Sequence, residues 1–395
     1  MAVNLFYAAR IGPDLKPLVM TPGPTNVPDR VMNALIRPIT SHRCEEFSAV
    51  YQRLLEKSRQ VFVTEGEVAI LTASGTGGVE AAVNSVVRSH DTVIVASFGE
   101  FGERLSETVR LAGADVIRVD SPYGSAPEPD EIEAAFRKTG NVKAFCTVSN
   151  ETSTGVRFKW LREAGEIASR YGSFFIVDAV SNLAGDEIPV DQLGIDVCAT
   201  CTHKCLAAPP GLSLLSVSRR AKDFVTQHQP SSMYFDLARV FRFSEKSETP
   251  FTPSLPLFYA LDEALSLVLE EGLSARIRRH QICAEAFYEA LETLHLEGFA
   301  EEDVRSNTVI AFKYSNGIDD TRFRRKLEEA FHIQIAGGFG DYKEKLFRIG
   351  SMGEVGPYHV LTTVSAIASS LLMLGAECDP GAALGAAERG LRPLN

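Results

Sequence analysis

The chain has 395 residues, 45% hydrophobic and 23% charged, with a formal net charge of −11. That length and apolar content suit one large and one smaller domain, and the acidic balance argues against general binding to nucleic acid or anionic membranes. With no run of about 18 apolar residues and no charged-then-apolar leader, a cytoplasmic protein without a membrane span is expected, and seven cysteines, an odd number, do not make a disulfide framework.

In LVMTPGPTNVPDRVMNAL, Pro22, Gly23 and Pro24 forbid regular structure before a helix that starts near Pro28. This loop reads either as a connector or as backbone lying close to a ligand. A second helix follows in the later part of SHRCEEFSAVYQRLLEKSRQVF, where apolar residues recur at helical spacing. From Glu67 onward strands and helices alternate. VAILTA, DTVIVAS, ADVIRVD, VKAFCTVSN, FFIVDAV and DVCATC read as strands, and SGTGGVEAAVNSVV, FGERLSETVRLAG, PDEIEAAFRKT and FKWLREAGEIASRYG as helices among them. The alternation predicts an α/β fold, a mainly parallel sheet covered by helices, with functional residues at the carboxyl ends of its strands.

LSLLSVS adds a further β-rich run and RRAKDFVTQ a helix, after which residues 230–256 read as an irregular excursion. LFYALDEALSLVLEEGL and LSARIRRHQICAEAFYEALETLHLEG are two helices, the second long and amphipathic. NTVIAFKY, IDDTRFRRKLEEAF, IQIAGG, LFRIGSMG and HVLTTVSAIASSLLMLG then alternate as a smaller α/β domain. The expected divisions are an N-terminal segment over 1–25, a large domain over 26–265 and a small C-terminal domain over 266–395.

Several residue groups carry chemistry. Lys204 follows the strand DVCATC and precedes a rigid Pro209-Pro210-Gly211 corner, which fixes its amine at the mouth of the sheet. It reads as a Schiff-base lysine, or else as a solvated lysine beyond a strand. Ser74, Gly75, Thr76, Gly77 and Gly78 lie between a strand and a helix, where backbone N–H groups, hydroxyls and the helix end suit a phosphate. A plain tight turn is the alternative. As a dinucleotide loop the run is poor, because Glu80 stands where a third glycine is needed. Asp178 ends an apolar strand and reads as a turn cap or as the partner of a protonated ring nitrogen, which it would keep cationic. Asn150 to Gly155 cluster hydroxyls at another strand end, Phe101 offers a flat side chain just past DTVIVAS, and Arg348 offers a planar fork for a carboxylate. Cys198, Cys201, His203 and Cys205 contain four soft ligands. An extended strand would put 198 on the face opposite 201, 203 and 205, and no second ligand pair follows, so no metal site is expected.

SGTGG, ETSTG, the strand-ending Asp178, Lys204 lying 26 positions later, APPGL and RIG occur in this order from TPGPTNVP to RIGSMG. Together they resemble the class V branch of fold type I pyridoxal-phosphate aminotransferases, the group of alanine:glyoxylate and serine:pyruvate aminotransferases. The resemblance implies that Lys204 carries the cofactor as a Schiff base and that Asp178 pairs with its pyridine nitrogen. It implies that Ser74, Gly75 and Thr76 hold the phosphate, that Phe101 stacks on the ring where relatives often have tryptophan, and that Ser153 reaches the ring's edge. His203 stands beside the lysine where the family commonly has glutamine. Arg348 is implied to bind the substrate carboxylate, with Gly23 nearby. Thr249 and Thr252 lie in the loop that, in this family, touches the phosphate of a partner subunit, so a homodimer is implied; the tyrosine often found in that loop has no counterpart near Thr249. THKCLAAPPGL, PFTPS and RIGSMG also resemble the pyridoxamine:pyruvate branch, against which SGTGG, a phosphate cradle, argues.

The implied activity moves an amino group from a small amino acid such as alanine or serine to glyoxylate or pyruvate, in a ping-pong order. The donor is not legible. Aspartate or 2-aminoethylphosphonate would need a second cationic group, for which Arg43 is the candidate; His42, Tyr234 and the N-terminal segment are further candidates for specificity. The alternatives are a class V lyase or desulfurase, which needs an exposed nucleophilic cysteine such as Cys44, a nicotinamide-dependent dehydrogenase, and a binding protein without turnover.

Overall fold

Seven strands form the main sheet, in the spatial order Glu67–Leu71, Ser213–Val217, Val197–Cys201, Phe174–Asp178, Ala144–Val148, Thr92–Ser97 and Asp115–Asp120. The computed structural model describes residues 16–315 and 317–394, so residues 1–15 of the expected N-terminal segment lie outside it. The last five strands of the order run parallel, while Ser213–Val217 is antiparallel to both neighbours. Strands in the middle are buried along their whole length, which is why Ala144–Val148 and Val197–Cys201 read as continuous apolar runs. The edge strand Asp115–Asp120 instead exposes Asp115, Arg118 and Asp120, and charges of this kind discourage edge-to-edge pairing. The helix Gly75–Val86 packs hard on the sheet: a Cβ at Gly78 would stand 2.7 Å from Ser213 Cβ.

A second apolar cluster, separate from the one around the main sheet, is built by the helices Leu273–Glu292, Asp320–Phe331, Pro357–Met373 and Pro380–Leu391. They pack with a three-stranded antiparallel sheet in the order Val309–Lys313, Leu346–Gly350, Ala336–Gly337. Leu18–Val19 pairs in parallel with Ile333–Gln334, and Met20 belongs to this second cluster. Residues 18–20 therefore lie against the small unit, and the chain passes through Pro22 to Pro24 on its way to the large one.

The α/β architecture and its mainly parallel sheet agree with the sequence reading. Three local features differ. Residues 230–256 contain the helix Leu237–Ser244, started by the Asp236 side chain accepting the Arg239 N–H at 3.0 Å. IQIAGG divides into two short strands in different sheets. A last helix, Pro380–Leu391, opens on Asp379, which caps Gly381 and Ala382. Among the described residues no helix is long and apolar enough to cross a membrane.

Candidate active site

The carboxyl ends of the parallel strands bring Asp178, Lys204, the glycine turn and the loop Asn150–Gly155 together, as parallel α/β sheets do with their ligands. Asp178 is the last residue of its strand and Lys204 lies in the turn that follows Val197–Cys201. The Lys204 amine donates to the Pro22 carbonyl, and the Thr25 hydroxyl donates to the Lys204 carbonyl at 3.2 Å. Gly23 has φ +109°, and a Cβ there would collide with the end of the Lys204 side chain. Its backbone angle favours glycine at 23, and a side chain there would push the Lys204 amine out of its place. Burial pushes the Lys204 ammonium below its usual pKa, with Arg348 adding to the effect and Asp178 opposing it.

Asp178 accepts one hydrogen bond through its carboxylate, from the Val180 N–H at 2.8 Å, and has no ion pair among the described residues. Burial pushes its pKa up to about 6, and the nearby negative charge of Glu151 pushes the same way. Two hydrogen bonds from Ser149 to the Asp178 carbonyl fix the strand end. Gly75 opens the helix Gly75–Val86 beside these groups: a Cβ on it would lie 3.2 Å from both Val180 methyls and 3.3 Å from Cys201 Cβ. Ser74 caps the helix through Gly77 N–H at 3.2 Å, Ser74 and Thr76 are exposed, and the first turn holds no acidic residue. The positive end of the helix is therefore open to an anion.

Arg348 is 4% exposed. Its Nη1 donates to the Thr152 carbonyl at 2.8 Å and its Nε to the Gly337 carbonyl at 2.9 Å, while Nη2 has no partner among the described residues. No carboxylate among the described residues pairs with it. Burial lowers its pKa to about 10, partly offset by Glu151, so it stays cationic at neutral pH. A buried, oriented guanidinium with a free nitrogen is a receptor for a carboxylate.

Glu151, unremarked in the sequence apart from its place in ETSTG, organises the opposite wall. It is fully buried and accepts from the N–H groups of Phe101 at 3.1 Å, Gly102 at 3.0 Å and Ser153 at 3.0 Å, and from the Ser153 hydroxyl at 2.6 Å. Its carboxylate thus caps the helix Glu100–Leu111, which carries Phe101. Ser153 was expected to reach a ring edge; its hydroxyl proton goes to Glu151, and its oxygen accepts the Glu100 N–H at 3.1 Å. No local signal could have found this, since the partners are about fifty residues apart in the chain.

His203 sits with Nε2 3.7 Å from Cys201 Sγ and with Nδ1 buried and unpartnered. Burial lowers its pKa to about 4, so the imidazole is neutral at pH 7. Arg43 and Thr249 are brought together, and among the described residues no hydrogen bond or ion pair joins Arg43, Thr249 or Thr252 to Lys204. Arg43 donates to the Thr249 carbonyl at 2.8 Å and pairs with Glu248 at 3.4 Å. The second cation expected of Arg43 is therefore already neutralised by a neighbouring carboxylate. Thr249 is buried with its hydroxyl on the Phe251 carbonyl, and Thr252 is exposed. Beside this segment, Tyr234 stacks on Phe251 at 5.5 Å and donates to the Thr72 carbonyl at 2.9 Å.

The family model described as Aminotransferase class-V matches residues 21–340. An uncharacterized aminotransferase of Methanocaldococcus jannaschii is 40% identical over 365 residues, 92% of this chain and 94% of that protein. A serine–glyoxylate aminotransferase of Methylorubrum extorquens is 31% identical over 385 residues, 95% of this chain and 96% of its own length. The crystal structure of a ureidoglycine–glyoxylate aminotransferase from Bacillus subtilis superposes with a TM-score of 0.90 at 30% identity, covering 96% of this chain and 99% of that one.

Proposed function

The chain belongs to the class-V aminotransferases, pyridoxal-phosphate enzymes, and on that footing we propose that it moves an amino group from a small amino acid to glyoxylate, with pyruvate as the other acceptor. Glyoxylate stands in the names of the Methylorubrum extorquens and Bacillus subtilis relatives. The observation that carries the reading is the convergence of a half-buried lysine, a half-buried carboxylate with one N–H partner and an open helix N-terminus around one point, with a buried arginine nearby that has no carboxylate partner among the described residues. These donors fit pyridoxal phosphate. The helix end suits the phosphate, Asp178 suits a protonated ring nitrogen, and the unpartnered Nδ1 of His203 leaves a further polar contact free.

When bound, pyridoxal phosphate supplies an aldehyde that condenses with amines and a cationic ring that takes up the electron pair left by a departing α-proton. Ser74, Gly75 and Thr76 would hold the phosphate, and Phe101 would face the ring. Asp178, ionised at pH 7, keeps the ring nitrogen protonated through a charge-assisted hydrogen bond. Lys204 would hold the group through its aldehyde and yield that place to the donor amine. Once released, its nitrogen, whose ammonium burial pushes below the usual pKa, would be the base that takes up the substrate's α-proton and hands it back. Arg348 holds the α-carboxylate with its free Nη2. The donor's ketoacid leaves before the acceptor enters, and the acceptor runs the same proton transfer in reverse.

Thr249 and Thr252 complete the phosphate site from a second copy of the chain, so the working unit is a homodimer; the seven free thiols accord with a cytoplasmic location. A desulfurase reading is disfavoured near the lysine, because burial pushes the thiols of Cys201 and Cys205 up to about 12. The test is exchange of label between an amino acid and its ketoacid. Rapid exchange without net breakdown is expected, and Lys204→Ala should abolish it while still binding the cofactor noncovalently. Unchanged exchange in that variant overturns the assignment.

A further inference from the structure

We propose that Phe339 is a positioning residue of the carboxylate site, holding the Arg348 guanidinium dry and in register with Phe101. The inference rests on the aminotransferase reading, in which Arg348 takes the α-carboxylate. Phe339 lies between the strands Ala336–Gly337 and Leu346–Gly350, in the stretch that leads to Arg348 itself. Its ring centroid stands 4.4 Å from Arg348 Cζ, and its ring meets Phe101 edge-on, 6.3 Å apart at 76°. One side chain thus touches both the arginine and the aromatic of the cofactor wall.

The surrounding contacts explain why the ring stays there. The Gly337 carbonyl grips Arg348 Nε from the same stretch of chain. Beyond Phe339, Tyr342 stacks on Tyr123 of the large unit at 5.5 Å and meets Phe299 edge-on at 4.7 Å. Gly340 lies so close to the Glu100 side chain that a Cβ there would collide with it. The segment is therefore a clasp from the small unit onto the helix Glu100–Leu111. A guanidinium with no carboxylate partner gains most from an aromatic face when water is kept away. With Nε and Nη1 each held by a carbonyl and the ring close by, the plane of the fork is fixed and Nη2 is left for the substrate.

The test compares two amines that lack an α-hydrogen and differ only in a carboxylate replaced by methyl: 2-methylalanine and tert-butylamine. Binding of each to the holoenzyme is read by absorbance titration. Wild type should prefer 2-methylalanine; Phe339→Ala should narrow that preference about tenfold while tert-butylamine binds within about twofold of wild type. Phe339→Tyr, which keeps the aromatic face, should retain the preference. Phe339→Leu, which keeps apolar bulk, should lose about threefold and serves if the alanine variant does not fold. An unchanged preference, or equal weakening of both amines, overturns the inference and leaves the aminotransferase reading standing. A wild-type holoenzyme with no preference for the carboxylate overturns the role of Arg348 and the inference with it.

Discussion

A carboxylate at the buried end of an apolar strand, with one N–H for company, opposes folding at neutral pH. Asp178 has its pKa raised from 3.8 to about 6, so the fold prefers its protonated form. The resulting destabilisation is absent below about pH 4, grows between there and about pH 6, and is complete above that. Asp178→Asn should therefore stabilise the apo-protein at pH 7, by on the order of 2 kcal/mol, as read from urea unfolding. Cofactor binding should move the other way. A cationic ring favours the ionised form, so wild-type affinity should fall as pH drops through about 6, whereas Asp178→Asn should bind weakly with no such pH dependence between 5 and 7. Equilibrium dialysis of apo-protein against pyridoxal phosphate checks both, and equal pH profiles would remove Asp178 from the site.

The helix Glu100–Leu111 is aligned by a carboxylate from another strand end. Glu151 satisfies the N–H groups of Phe101, Gly102 and Ser153 at once, the first two being donors that a helix start otherwise leaves open. Its pKa is raised by burial against those hydrogen bonds. Glu151→Ala should leave several buried donors unpaired and cost about 2–4 kcal/mol in urea unfolding. Because the same helix carries Phe101, cofactor affinity should fall with it. A variant that keeps wild-type stability would show that water replaces the carboxylate. The glycine at 99 belongs to the same arrangement, since a Cβ there would collide with the Glu151 side chain.

Among the described residues there are two large apolar cores and a small third cluster, and Pro22, Gly23 and the Phe339 segment pass from the small unit's core toward the large one. Within one chain the Thr249–Thr252 segment meets Arg43 and Tyr234 but not Lys204, so its proposed role at a phosphate needs a second copy. Light scattering of the holoenzyme should give twice the mass of one chain, and Thr252→Ala should weaken cofactor binding severalfold without changing that mass. A monomer with full cofactor affinity would sink the shared-site reading.

What the amino-acid order determined by itself was whatever depends on short-range chemistry. Strand and helix periodicity predicted the α/β sheet, and a glycine turn, a strand-ending Asp178 and a lysine before a Pro-Pro-Gly corner marked the candidate site, because each is set by neighbours within a few residues. The tertiary structure alone decided what distant partners do. Glu151 and the Glu100–Leu111 helix start, Arg43 and Glu248, and Phe339 with Arg348 and Phe101 meet across stretches that local periodicity cannot connect. Charge, burial and hydrogen-bond saturation are properties of such meetings. A carboxylate or arginine acquires its role only when folding has fixed which groups remain to answer it.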